Sequence, residues 1–341
     1  MSLDSTDGSL RQRFGTLLLD LDGVVYRGPN AVPHAVDALA AARSEGSRLA
    51  FVTNNAARTP DVVAEHLSSL GVPADPGDVV TSSHAVATLL SGFVEDGSLT
   101  PGAKVLVVGQ AGLRDAVADA GFTLVESADD RPVVVVQGFG PDTGWRQLAE
   151  ATYAIAAGAR WIASNLDKTL PTERGLAPGN GSMVAAVATA TGGGNPQSAG
   201  KPARTLFDTA LERLGAVADD TLVVGDRLDS DIEGAVAADL PGLLVLTGVS
   251  TIDDLFTAPE HQRPRYVGFD LRTLADEHPP VSRREDTVAC ARWSVHLEDG
   301  RARLDGAGSP TAALRAATVA AWTRPDSDTS GLRTALDKLR P

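Results

Sequence analysis

The sequence predicts an α/β protein: a parallel-sheet core, a smaller α/β unit inserted into it, and a small C-terminal αβ appendage. Three observations lead there. The segments 17–25, 48–55, 221–232 and 242–249 open with short runs of branched apolar residues, the length and composition of strands buried on both faces of a parallel sheet. Stretches at helical spacing separate those runs. From 83 to 197 the chain changes to its own series of strands and helices, after which the first style of strand and loop returns.

The first strand, Leu17-Leu18-Leu19, runs into Asp20-Leu21-Asp22-Gly23, so two carboxylates follow it two residues apart. Ligands bind parallel sheets outside the carboxyl ends of their strands, which puts both acids at the edge that would face substrate. Close carboxylates repel unless a cation, a shared proton or different hydrogen bonding separates them. A hard divalent ion such as magnesium would do so; ordinary turn chemistry also accounts for Asp and Gly after a strand. Residues 33–45 carry Val36, Leu39, Ala40 and Arg43 at helical spacing, and Gly46 is a C-cap candidate. The second strand, 48–55, ends in Thr53-Asn54-Asn55. That hydroxyl and its neighbouring backbone amides can hold phosphate oxygens; otherwise Thr or Asn caps the next helix, 60–70, which Gly71 closes.

Within the insertion, strands are expected at 105–108, 133–137 and 161–164. The polar stretch Ser164-Asn165-Leu166-Asp167-Lys168-Thr169-Leu170-Pro171 follows the last of them, either as a specificity loop or as plain solvated chain. Gly192-Gly193-Gly194 reads as a joint back to the core; it lacks the context of a dinucleotide fingerprint, and there is no phosphate loop of the Walker type. In Gly200-Lys201-Pro202 a lysine stands at the entrance of a helix over 203–214. A cation there opposes the helix dipole, so either its charge has a task or the side chain is simply solvated. The second acidic strand end is Gly225-Asp226-Arg227-Leu228-Asp229-Ser230-Asp231-Ile232. Asp226 suits metal coordination; Asp231, beginning a helix, either braces the loop or the metal's waters or caps that helix. Strands at 242–249 and 266–269 complete the core near Leu274. Beyond Pro279, a hairpin over 291–297 and 301–304 and a helix over 311–322 carry no catalytic pattern, and His296 reads as structural. The resulting division is 14–82 with 198–278 as core, 83–197 as insertion and 279–341 as appendage.

A net charge of -14 argues against nucleic acid and anionic membranes as partners, although a metal and a few local donors can still reverse the potential inside a site. The single cysteine, Cys290, excludes an intramolecular disulfide framework and fits a reducing cytoplasm. No apolar run has the length of a membrane span, and the polar start 2–12 lacks a signal-peptide core. A soluble, cytosolic protein is expected, with its oligomeric state, homo-oligomer included, left open.

Taken together, Asp20-Leu21-Asp22-Gly23, Thr53-Asn54, Lys201-Pro202 and Gly225-Asp226 with Asp231 resemble the four ordered motifs of the haloacid dehalogenase superfamily. The insertion between the second and third resembles the C2-type cap of the subgroup with NagD-like and p-nitrophenyl phosphatases, phosphoglycolate/glycerol-3-phosphate phosphatases and pyridoxal-phosphate phosphatases. The resemblance spans 14–274 and leaves the segment after 279 unexplained. It implies a Rossmann-like core with an inserted α/β cap domain. It also implies Asp20 as nucleophile, Asp22 as acid/base, and magnesium held by Asp20, the Asp22 carbonyl and Asp226. Thr53, Asn54 and Lys201 would bind the phosphoryl oxygens, with Asp231 and Gly23 in support and Asn165 and Asp167 facing the leaving group. The expected activity is hydrolysis of small phosphate monoesters through an aspartyl phosphate, with glycerol 3-phosphate or 2-phosphoglycolate first and nucleotide monophosphates or pyridoxal phosphate next. Dehalogenation fits less well, because a halide leaving group needs neither Asp22 nor a metal. A phosphate-ligand sensor or scaffold is the alternative without catalysis.

Overall fold

The computed structural model describes residues 3–172 and 174–340, so Ser2 of the polar start and Pro341 of the appendage lie outside the described residues. The chain divides into two compact units, Met1–Ala50 with Ala216–Pro341, and Phe51–Gly215.

In the first unit the strands Thr16–Leu19, Thr221–Gly225, Gly242–Val245 and Tyr266–Gly268 lie side by side in that order, all parallel. All four are buried at every position, as strands covered on both faces must be. The first apolar run stops being a strand at Leu19, so Asp20 is the first residue beyond the sheet. Beyond Gly23 the Val24 and Val25 N–H groups turn back onto Leu21 O, and the chain leads into a small hairpin, Tyr26–Arg27 with Asn30–Ala31.

The C-terminal segment is a four-stranded antiparallel sheet, Val281–Arg284, Thr287–Cys290, Trp293–Glu298 and Arg301–Gly306, followed by the helices Pro310–Thr323 and Ser330–Leu339. Asp299 and Gly300, with φ of 50° and 73°, make the two-residue turn of the expected hairpin. The other two strands and the last helix were not expected: Val281–Arg284 is mostly exposed and lacks an apolar alternation. The helix Pro310–Thr323 is rich in Ala and buried nearly all round, which lets it lie between the antiparallel sheet and Tyr266–Gly268. Leu244, Val267, Cys290, Val295 and Leu314 therefore share one apolar core.

That helix carries Arg315, fully buried, whose guanidinium donates to Asp4 O at 2.6 Å and Pro279 O at 3.0 Å and meets His278 Nδ1 at 3.2 Å. Arg315 can only donate, so Nδ1 accepts and the proton of the neutral ring sits on Nε2, 3.4 Å from Thr273 O. Burial first, and the charge of Arg315 second, push the His278 pKa down to about 4. The unfolded chain, with an ordinary histidine, takes up this proton first, so His278 lowers stability as pH falls from about 6.5 to about 4. Urea unfolding should therefore lose up to about 3 kcal/mol over that window from this group. His278→Gln should flatten the dependence; the same slope in both proteins would contradict this.

The second unit begins inside the strand Arg48–Thr53, whose end pairs in parallel with Val79–Thr81. Its own sheet has five parallel strands, ordered Gln197–Ser198, Arg160–Ala163, Val134–Gln137, Lys104–Val108 and Thr123–Val125. The outer two are short and partly exposed, which is why apolar periodicity did not reveal them. The loop after Ala163 is shorter than expected: from Thr169 it becomes a hairpin, Thr169–Thr172 with Gly175–Pro178. The helix expected from 203 starts at Thr205, because a turn closed by Ala203 N–H on Gly200 O precedes it.

Candidate active site

The acids belong to the first unit. Adjacent parallel strands in register, Leu19 opposite Val224, end together, so Asp20 and Asp226 leave the same sheet edge. The Asp20 N–H donates to Val224 O at 2.8 Å, extending the ladder by one bond. After Asp226 a π-helical turn, Leu228–Ile232, brings Asp231 back, and its Oδ2 accepts the Arg227 N–H at 3.1 Å. One carboxylate oxygen from each of Asp20, Asp226 and Asp231 lies within 4.8 Å of the others.

Asp226 is fully buried, and its Oδ2 accepts the Val249 N–H at 2.6 Å. Glycine makes room for it. A Cβ on Gly248 would sit 1.6 Å from that oxygen, and one on Gly23, whose φ is +92°, would sit 2.6 Å from it. Thr247 Oγ1 donates to Gly23 O at 2.6 Å and fixes the two glycine segments together. Asp22 is exposed, the access an acid/base would need for water and a leaving group. Three carboxylates this close, two of them buried, repel strongly unless a cation joins them. The set is all hard oxygen, without His or Cys, and so fits magnesium rather than zinc or copper.

The expected phosphate donors belong to the second unit. Thr53 is buried at the end of its strand, and its Oγ1 accepts the Asn55 N–H at 3.1 Å without using its own proton. Asn54 pairs with the main chain of Lys201: Oδ1 accepts Lys201 N–H at 2.8 Å and Nδ2 donates to Lys201 O at 3.1 Å. Lys201 is only 3% exposed, and its Nζ donates to Val52 O at 3.2 Å, which rules out a solvated surface lysine.

The loop after Ala163 departs from the expectation in part. Asn165 turns inward, 5% exposed, and donates to Asn54 O at 2.7 Å. Asp167 is half-buried, its carboxylate accepting Asn54 Nδ2 at 3.1 Å. Residues that sequence reasoning did not single out include Ser82 and Ser83, whose hydroxyls donate to Asn54 O at 2.7 Å and Ala56 O at 3.1 Å, and Asn180. The signal for the serines was present: Val79-Val80-Thr81-Ser82-Ser83 is another apolar run ending in small polar residues.

Residues 17–123 match a family model for haloacid dehalogenase-like hydrolases, and residues 198–274 match a HAD-hydrolase-like model. Over 266 residues the chain is 53% identical to a D-glycerol 3-phosphate phosphatase of Mycobacterium tuberculosis, covering 78% of this chain and 72% of that protein. It is 36% identical over 266 residues to an acid sugar phosphatase of Staphylococcus aureus, covering 78% and 98%. A crystal structure of a glycerol phosphate phosphatase from Mycobacterium tuberculosis in complex with magnesium superposes with a TM-score of 0.85 at 45% identity, covering 97% of this chain and 99% of that one. Coverage that wide takes in the C-terminal segment as well.

Proposed function

The chain belongs to the haloacid dehalogenase-like hydrolases, and from that premise we propose that it hydrolyses D-glycerol 3-phosphate with Asp20 as nucleophile. It is a magnesium-dependent phosphoric monoester hydrolase. The observation that carries the substrate is the 53% identity to the mycobacterial D-glycerol 3-phosphate phosphatase. The packing of Asp20, Asp226 and Asp231 carries the metal.

Asp20 attacks phosphorus and forms an aspartyl phosphate, while Asp22 protonates the departing glycerol oxygen and then takes a proton from the water that releases phosphate. Thr53 through its hydroxyl, Asn54 through its main-chain N–H, and Lys201 donate to the phosphoryl oxygens as charge builds on them; the Asn54 side-chain amide is committed to Lys201 and Asp167. Asp20, the Asp22 carbonyl and Asp226 would hold magnesium, with Asp231 bracing the loop, and the ion would offset the repulsion between nucleophile and substrate. Residues 83–197 are assigned as the cap domain, and 14–82 with 198–278 as the core. Asp167 faces the leaving group, where a carboxylate accepts from the hydroxyls of a polyol.

Among the described residues no helix is long and apolar enough to cross a membrane. The net charge of -14 supports a small ester rather than nucleic acid as substrate, and the lone, buried Cys290 supports a cytoplasmic location.

The test is the magnesium-supported kcat/KM for D-glycerol 3-phosphate, 2-phosphoglycolate, a nucleoside monophosphate, pyridoxal 5′-phosphate and p-nitrophenyl phosphate. D-glycerol 3-phosphate should rank first. Another ester ranking first overturns the substrate; no turnover of any overturns the reading. Asp167→Ala should lower kcat/KM for D-glycerol 3-phosphate by about 1–3 kcal/mol and for p-nitrophenyl phosphate by less. Equal losses would remove Asp167 from leaving-group recognition.

A further inference from the structure

We propose that Asn180 is a positioning residue for the phosphate-binding loop, acting through Asn165; this rests on the reading of Asn54 and Lys201 as groups that hold the phosphoryl oxygens. Asn180 is the first residue of the helix Asn180–Ala190 and only 1% exposed. A buried amide donor is costly unless its hydrogen bonds are made, and in Asn180 it is the donor side that is paired, Oδ1 having no hydrogen-bond partner among the described residues. Its Nδ2 donates to two main-chain carbonyls, Asn165 O at 2.7 Å and Gln137 O at 3.3 Å. Both partners can only accept, so the amide has one workable orientation; turned over, Oδ1 would face two oxygens.

Those carbonyls locate the bond. Gln137 ends a central strand of the five-stranded sheet and pairs with Ala163, the end of its neighbour, and Asn165 lies two residues beyond. Asn180 therefore ties the loop leaving one strand to the end of the next. The Asn165 side chain continues the path, with Nδ2 on Asn54 O at 2.7 Å and Oδ1 accepting the Asp167 N–H at 3.2 Å, so this amide too has a fixed orientation. Asn54 then clamps Lys201 by both its N–H and its carbonyl. The path from Asn180 to Lys201 runs through short amide side chains and main chain, with no long flexible group in it.

There is little slack around it. A Cβ on Gly181, one residue along the helix, would sit 2.2 Å from Leu166 O, and one on Gly200 would sit 2.5 Å from both Asn54 Oδ1 and Ser164 O. The loop is held between the start of the Asn180 helix and the chain entering Lys201. Loss of the Asn180 donor frees Asn165 O, lets the loop move, and displaces Asn54 and Lys201 with it. Such displacement affects the phosphoryl group, which every substrate shares, and not the leaving group. This separates Asn180 and Asn165 from specificity residues.

The experiment compares Asn180→Ala, Asn165→Ala and the double variant with wild type, measuring kcat and KM with magnesium for D-glycerol 3-phosphate and p-nitrophenyl phosphate, alongside thermal melts. Each single variant should lower kcat by about 10- to 100-fold, by the same factor for both esters. The double variant should be no worse than Asn165→Ala alone, because the two residues act along one path. Losses that multiply in the double variant, losses confined to one ester, or unchanged kcat would each overturn the proposal. If Asn180→Ala does not fold, Asn180→Ser, which keeps one donor, is read by the same criteria. A wild-type protein that turns over neither ester overturns the phosphatase reading and this proposal with it; an active wild type with an unaffected Asn180 variant overturns this proposal alone.

Discussion

Asp20→Asn is expected to lower turnover by more than about 10³-fold while leaving the protein folded. The amide cannot form an acyl phosphate and is a poorer ligand for a hard cation. The substitution is nearly isosteric, and the bond that anchors the residue, Asp20 N–H to Val224 O, belongs to the main chain. It also removes one of three carboxylates whose oxygens lie within 4.8 Å of one another. Without magnesium the variant should therefore melt at the same temperature as wild type or higher, because like charges held together destabilise the folded state. Activity comparable to wild type in a folded variant would contradict the nucleophile assignment.

Exhaustive chelation should stop turnover, and added magnesium should restore it in full. Asp226 is fully buried with Asp231 beside it, so the folded protein without a cation holds these charges at a cost that binding relieves. Magnesium should consequently raise the melting temperature of the wild type, and raise it less in Asp226→Asn. Calcium should also raise it without restoring turnover, because its larger and looser oxygen shell suits binding better than in-line transfer. Full activity after chelation, or a melting temperature indifferent to magnesium, would remove the metal from the mechanism.

Much of the acid group was legible in the sequence because its placement is local. A strand buried on both faces must end, and chain order alone puts Asp20 just beyond Leu19 and Asp226 just beyond Gly225. Lys201 was legible for a similar reason, since a cation before a helix is a local anomaly. The parts that were not legible depend on contacts between distant segments. Asn165 looks like any solvated loop residue until Asn54 O is found 2.7 Å from its amide. Asn180 looks like an ordinary helix residue until the ends of two strands meet it. Gly248 gives no hint of its role until the Asp226 carboxylate is seen in the volume its side chain would fill. The C-terminal segment shows the same limit: its helix pattern was readable, but not that Arg315 reaches the main chain of Asp4 and Pro279.

Rapid acid quenching during the first turnover of ³²P-labelled D-glycerol 3-phosphate with magnesium tests the covalent step directly. Wild-type protein should carry label that is stable to acid, released by hydroxylamine, and confined to the peptide containing Asp20; Asp20→Asn should carry none, and Asp22→Asn should retain label longer because release of phosphate is slowed. Phosphate appearing in the first turnover without labelled protein, or label of the same kind on Asp20→Asn, would contradict an aspartyl phosphate at Asp20.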